Sequence, residues 1–339
     1  TQGYSSAASD VYKRQSLLIG IAGCVLASCS SVQFLSFDQL CPADVSFPEQ
    51  LRNVAVVNNM PPIPSPKSGV LTLGHLEGDG KTSAEALAES LADTRYFDQV
   101  IICDSALRSE GSAGTSSLSA RQVEQLTRDL GADAIFSFDR VQIETRKEDV
   151  FYPEFGAVLS VAHVKLTPQV QVYVPGRDKP LFTLVKTDSL GWEIDPTVSD
   201  KTVIPEVSSY AASILTGHLV PHWVSADRIY FDGGCADMRD AGVSVREGDW
   251  KAAQELWTKL YEASKKGNLK MKSAFNLALS YEMLGDMNQA VSWLEKAKSL
   301  VKPDSDYAQL VSFYDRQLQE RLRQWTQLNI QMHRFDNNF

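Results

Sequence analysis

The sequence predicts an α+β protein built from a sheet-and-helix domain over residues 51–231 and an all-α domain over residues 232–339. Three observations predict it. Short β-branched runs alternate with amphipathic helical stretches between residues 51 and 143, the pattern of strands covered by helices. Residues 164–174 then change to strict alternation of apolar and polar side chains, the mark of a half-solvated antiparallel strand. Finally, the last third repeats itself at an offset of 37 residues: Gly248-Asp249-Trp250-Lys251-Ala252-Ala253 returns as Gly285-Asp286-Met287-Asn288-Gln289-Ala290, and the same step pairs Ala241 with Ala278 and Trp257 with Leu294.

Residues 1–15 do not suit the segment that comes after them. Their run from Ser5 to Gln15 resembles adapter read-through, so they are set aside as a non-native leader. Residues 16–28 hold an apolar run, Ser16 to Val25, of about a dozen residues, too short to cross a bilayer core. It closes on Leu26-Ala27-Ser28-Cys29 and turns polar at Ser30-Ser31. A Leu, two small residues and a Cys after such a run is identified with the lipobox of bacterial lipoproteins. The resemblance implies a signal peptide cut before Cys29, a diacylglycerol on its thiol and an acylated new amino end. The chemistry agrees. A thiol is the nucleophile for a thioether, Ala27 and Ser28 leave a peptidase room, and several acyl chains anchor stably where one does not.

Residues 29–50 read as a tether, because Asp38, Pro42, Asp44 and Pro48 break any period. Val54-Ala55-Val56-Val57, between Asn53 and Asn58-Asn59, reads as a buried first strand. Pro61 to Gly69 is a proline-rich loop. Thr82 to Ala92 is a helix, with Ala84, Leu87, Ala88 and Leu91 on one face and Thr82 or Ser83 as cap. Gln99 to Cys103 is the second strand and Gly111 to Ser117 a loop. Ser119 to Leu130 is a second helix, ended by Gly131. Asp133 to Phe138 starts a third strand that continues through Val141 and Ile143.

In the alternating strand Val164, Leu166, Val170, Val172 and Val174 share one face, and Pro168 marks an edge or bulge. Pro175-Gly176 fits a type II turn, with Leu181 to Thr187 returning as hairpin partner. A third helix covers Val203 to Val220 and stops at Pro221. Arg228 to Phe231 is a last strand. Three stretches of this domain, Val54-Ala55-Val56-Val57, Tyr96 to Ile101 and Leu130 to Ile135, resemble the amino-terminal domain of the Tol-system propeller protein. They also resemble the related domains of the curli-secretion lipoprotein and of penicillin-binding-protein activator lipoproteins.

In the second copy of the repeat, Leu277-Ala278, Tyr281, Gly285, Ala290 and Ala297 stand at the spacing of tetratricopeptide repeats. Those run to about 34 residues, so the extra length falls at Lys265-Lys266-Gly267-Asn268. Pro303 comes one residue late and Ala274 replaces an aromatic. Asp304 to Phe339 reads as a long capping helix.

The net charge of −9 argues against nucleic acid, which wants a basic stripe. After Cys24 leaves with the signal and Cys29 takes lipid, Cys41, Cys103 and Cys235 remain; at most one bridge, such as Cys103–Cys235, is open. Gly78-Asp79-Gly80-Lys81-Thr82 ends like a phosphate loop, but the position that needs the leading Gly is His75. His218 and His222 lack a third ligand. Asp133 and Asp139 flank a strand as turn acids. Trp250, Trp257 and Trp293 sit at repeat positions, where core packing is commoner than a sugar platform. No catalytic residue, cofactor or metal is therefore expected.

Overall, the chain resembles a family of Bacteroidota cell-envelope lipoproteins that pairs such an α/β domain with tetratricopeptide repeats and has no assigned activity. The resemblance implies a non-enzymatic scaffold or protein-interaction module, lipid-anchored to the outer membrane. Its periplasmic face is favoured, since Ser30 to Phe34 holds no acid of the kind that sends such proteins outward. Analogy with tetratricopeptide grooves nominates Met238, Val245, Arg246, Lys272, Phe275, Glu282 and Met283 as contacts for a protein or peptide partner. The alternative is a glycan-binding accessory of a polysaccharide uptake system.

Overall fold

The computed structural model describes residues 4–5, 32–109, 117–153, 156–194 and 197–338. Cys29 and its signal segment lie outside them, as does almost all of the Gly111–Ser117 loop. In chain order the elements are β1 (Tyr4–Ser5), β2 (Val32–Cys41), β3 (Asn53–Asn58), β4 (Gly74–Glu77), α1 (Gly80–Asp93), β5 (Gln99–Cys103), α2 (Ala120–Leu130), β6 (Ala134–Tyr152), β7 (Ala157–Tyr173), β8 (Phe182–Val185), β9 (Asp188–Glu193), α3 (Asp200–Leu219), β10 (His222–Phe231), α4 (Ala236–Arg246), α5 (Trp250–Ala263), α6 (Asn268–Met283), α7 (Met287–Leu300) and α8 (Asp306–Met332), with a 3₁₀ turn at His333–Asn338. The described residues divide into two compact units, one of residues 4–5, 42–222 and 333–338, the other of 32–41 and 223–332. This is a mixed sheet-and-helix unit and a helical unit, as the α+β reading requires.

The first unit is one sheet in the order β1-β9-β7-β6-β3-β5, with β4 also on β6 and β8 also on β7. β3 lies parallel to both β5 and β6; β6 and β7 form a long antiparallel pair. Helices α1 and α3 cover one face, where Val54, Val56, Leu87, Leu91, Phe136, Phe138, Val207 and Leu215 close the main core. Helix α2 covers the other, over Ala55, Val57, Ile135 and Tyr173. The alternation of β7 is as expected: Val164, Leu166, Val170 and Val172 are all buried in the main core.

Pro168 is not at an edge, since β7 has β6 on one side and β8 and β9 on the other. It falls between the stretch paired to β9, which reaches Leu166, and the stretch paired to β8, which starts at Gln169. Its carbonyl accepts from Lys186 N in that gap at 3.3 Å. A residue's N–H and C=O point to the same side of a strand, so the missing donor removes no ladder bond. The irregularity lies in the facing strand: Phe138 pairs Val170 and Arg140 pairs Gln169, leaving Asp139 as the extra residue of a bulge.

Local signals account for several termini. Ser119 and Gln122 make a capping box at α2, and Gly131 closes it in the left-handed conformation at φ 66°. At α1 the cap is Asp79, whose side chain accepts from Thr82 N, rather than Thr82 or Ser83. Strands β4 and β9 are additions to the sequence reading, being only four and six residues long. Residues 29–50 are not simply a tether: β2 pairs with β10 in a separate two-stranded sheet. β10 accordingly leaves the α/β sheet, which corrects the placing of Arg228–Phe231 as its last strand.

In the second unit the repeat is visible as geometry. Gly248 and Gly285 hold φ of 77° and 85° before the paired caps Asp249 and Asp286, which accept from Ala252 N and Gln289 N. Gly267, at φ 100°, breaks the chain between α5 and α6. Among the described residues no helix is long and apolar enough to cross a membrane.

The glycines of the phosphate-loop look-alike have a packing reason. A Cβ on Gly78 would meet Val141 Cβ at 2.7 Å; one on Gly80 would meet Met60 Cβ at 2.7 Å and press on Asn58 Oδ1. Gly80→Ala should therefore lower stability by about 1–3 kcal/mol through overpacking. Lys81→Ala, at an exposed ion pair with Glu85 and Asp104, should change it by less than about 1 kcal/mol. Urea unfolding of the two variants checks both.

Candidate functional site

Strand β6 changes partner part-way along its length. Residues 134–138 pair with β3, and 142–145 pair with β4. Between them the chain leaves at Asn59, whose N–H donates to Phe138 O at 2.9 Å, and returns at Gly78, whose N–H donates to Val141 O at 2.8 Å. The segment that leaves, residues 60–73, carries Pro61, Pro62, Pro64 and Pro66 over the gap. Beneath it lies a cavity of about 680 Å³, lined by Met60, Leu76 and Ile204 together with Asp139, Asp200, His75, Glu77, Arg140 and Lys67.

The roof is tied down by its non-proline residues. Thr72 donates its N–H and its hydroxyl to the two oxygens of Asp200, both at 2.7 Å. Lys201 N donates to Lys67 O, and Asp200 N to Val70 O. Thr145 Oγ1 donates to Thr72 O at 2.6 Å. Asp200 opens α3, where a carboxylate also meets the positive end of the helix.

Asp139 is only 2% exposed. Its Oδ1 accepts from Asn59 Nδ2 at 2.8 Å and Ser137 Oγ at 2.7 Å, while its Oδ2 is buried without a hydrogen-bond partner. Burial pushes the carboxyl up to about 6, against the pull of the Asn59 and Ser137 hydrogen bonds and the charge of Arg108. A carboxyl so placed accepts a donor, and it gains or loses a proton near neutral pH. Asp139 is thus not the ordinary turn acid that its sequence position implies. Asp133 is one: its Oδ2 accepts from Arg52 N and Asn53 N.

The residues nominated for a groove are not free to form one. Met238, Val245 and Phe275 are core residues. Every residue of α6 from Met271 to Ser280 is buried, so this helix is covered all round by its own unit. Lys272 is buried with its ammonium over the rings of Phe231 and Tyr307. Glu282 accepts from Arg228 Nε at 3.1 Å, Arg228 Nη2 at 2.6 Å and Tyr314 OH at 2.8 Å. Asn276 holds both backbone groups of Phe231, accepting its N–H and donating to its carbonyl. Of the seven, Arg246 is exposed and Met283 half-buried. The expected groove face is thus occupied by β10 and α8.

Other singled-out residues are also engaged. His218 Nδ1 lies 3.0 Å from Asp44 Oδ2. Among the described residues no three metal-ligating side chains cluster, and Cys41, Cys103 and Cys235 carry free thiols. Trp257 is fully buried, and Trp250 and Trp293 pack against the helical core.

The buried charges give two measurable effects. The Asp139 carboxyl titrates near 6 when folded and near 3.9 when unfolded. Below about pH 4 it is protonated in both states and carries no charge penalty. As pH rises to about 6 the unfolded chain alone has ionised, so stability falls, and the deficit persists above. A shift of this size is worth at most about 3 kcal/mol. Asp139→Asn keeps Oδ1 as acceptor and should stabilise by about 1–3 kcal/mol at pH 7.5, and by nearly nothing at pH 4, in urea titrations. In the helical unit, Arg228→Met should cost about 3–5 kcal/mol because Glu282 stays buried and charged; adding Glu282→Gln should recover most of it.

Comparison with known proteins adds family membership. No curated protein matches the chain. The structure of the hypothetical protein CT253 from Chlamydia trachomatis is similar at a TM-score of 0.26 and 10% identity, over 50% of this chain and 98% of that one. Residues 239–320 match a second family, Domain of unknown function (DUF6340). Residues 51–231, which contain the Asp139 cavity and make up more than half of the sequence, match the Domain of unknown function (DUF8603), and the chain belongs to that family.

Proposed function

We propose that this chain is a non-enzymatic, lipid-anchored protein of the cell envelope that acts as a scaffold or interaction module. The observation that carries the reading is the apolar run from Ser16 to Val25 closed by Leu26-Ala27-Ser28-Cys29. A nucleophilic thiol at a cut site is what double acylation needs, and two or more acyl chains anchor where one gives marginal binding. The absence of acid from Ser30 to Phe34 favours the periplasmic face of the outer membrane.

The structure bears on how such an anchor would act. β2 begins at Val32, so only Ser30 and Ser31 separate it from Cys29, a reach of about 10 Å at full extension. The acylated sulfur would hold the start of β2 close to the bilayer surface. With α6 enclosed, the partner surface of the helical unit lies outside the face that analogy nominated.

The test is expression of the native and Cys29→Ser chains in a bacterial host fed an alkyne fatty acid. The native chain is expected to carry label and sediment with outer membranes; the variant should lose label and appear in the soluble fraction. A variant that stays labelled and membrane-bound overturns the anchor.

A further inference from the structure

Strand β5 closes one side of the sheet: it pairs with β3, and among the described residues no strand lies beyond it. Its register decides which backbone groups are left over. Gln99 lies beside Asn53, and its N–H donates to Arg52 O. The alternation of a parallel ladder then turns Gln99, Ile101 and Cys103 toward β3 and leaves the N–H and C=O of Val100 and Ile102 pointing outward. Asn53 O accepts from Asp133 N, on the β6 side, as that phase requires. Exposed edges are ordinarily blunted by a charge, a proline or a bulge. Gln99-Val100-Ile101-Ile102-Cys103 has none of these, and Ile102 is 43% exposed.

We propose that β5 is a self-association edge, pairing antiparallel with β5 of a second copy about a two-fold axis at Ile101 and joining two sheets into one. The strand is complementary to itself in that register. Val100 of each copy meets Ile102 of the other, each pair exchanging both of its N–H···O bonds, and Ile101 meets its own equivalent. The exposed Ile102 is thereby covered by a β-branched neighbour on the same face. Just outside the ladder, Asp98 of one copy faces Asp104 of the other. Two bare carboxylates there would repel, but Asp98 is held by Arg52 at 3.3 Å and Asp104 by Lys81 at 3.2 Å. Each end therefore brings two cations to two acids, and an uncharged ladder lies between balanced rims. A second copy supplies that match by symmetry. The edge lies in the first unit alone and owes nothing to the lipid anchor.

The test is sedimentation of the full chain in a non-ionic detergent at rising concentration. The native chain is expected to reach twice the 37.5 kDa protein mass of one copy. Ile102→Lys, shown to be folded by its melting curve, should need at least tenfold more protein to do so. Position is read separately, in a chain whose own cysteines are replaced by Ser. Ile101→Cys sets two thiols across the axis in a non-hydrogen-bonded pair, about 4.5 Å between Cα atoms, within disulfide reach. Gln99→Cys sets them four residues apart along the strands, about 14 Å, beyond it. Mild oxidation should give a covalent dimer with the first and not with the second. A native chain that stays single, an Ile102→Lys chain that associates as the native one does, or equal coupling by the two thiols overturns the proposal. If Ile102→Lys does not fold, the native chain and the two thiol variants still decide it.

Discussion

The bulge at Asp139 is the constraint on which the first unit depends. Up to Phe138, the even-numbered residues of β6 face the main core: Ala134, Phe136 and Phe138. Beyond it the odd-numbered ones do, Val141 and Ile143. One inserted residue makes that switch, since a strand has period two and a one-residue slip turns every later side chain over. Without it, a strand this long would bury Phe136 and Phe138 and send Val141 and Ile143 to the opposite face. The facing strand β7 keeps even phase throughout, from Val164 to Val172, so the correction resides in β6 alone. The bulge also coincides with the change of partner from β3 to β4, which is why a cavity opens there and not along the regular ladder.

In the helical unit the order of causes is reversed. Hairpins form from local signals: a left-handed Gly, an Asp cap, an apolar face. These fix α4–α5 and α6–α7 but not what lies over α6. That is decided by three polar side chains, Asn276, Glu282 and Arg228, whose partners are 32 to 54 residues away in sequence. Asn276 replaces a strand neighbour for Phe231, and the Arg228 guanidinium meets Glu282 with two donors while Tyr314 fills a further lone pair. Burial alone would lower the Arg228 pKa; the pairing with Glu282 raises it. Such a set tolerates few other registers, because each misplaced partner would leave a buried charge or amide unsatisfied.

This difference explains what is legible in the sequence. The capping box of α2, its Gly131 stop, the β7 alternation and the 37-residue repeat are local patterns, and each corresponds to an element in the structure. Strands β4 and β9 carry only four and six residues, with one and two apolar side chains on the covered face, too short a pattern to stand out, and their pairing is set from outside. β2 contains Phe34-Leu35-Ser36-Phe37, yet it reads as a tether because Asp38 and Pro42 come close behind; Pro42 is simply where the strand has ended. The phase switch from Phe138 to Val141 is present in the sequence and is the signature of a bulge, but a reading that simply continues the strand through Val141 misses it. The groove fails for a different reason. Analogy assumes an open inner face, and buried Lys272 and Glu282 look like contact residues until their partners are known.

A buried carboxyl with one oxygen unserved would normally acquire a neighbour or be replaced. Here the surroundings prevent the first. Asn59 and Ser137 reach only Oδ1. The segment overhead gives up four of its backbone N–H groups to proline. Its Thr72 is held by Asp200 on one side and by Thr145 on the other. The roof is therefore tied to Asp200 and Thr145 rather than to Asp139, and burial keeps the carboxyl pushed upward, to about 6. A position that the fold positions, insulates and then leaves unsatisfied is a local inconsistency in an otherwise consistent sheet, and such inconsistencies mark where a sequence serves something besides its own stability.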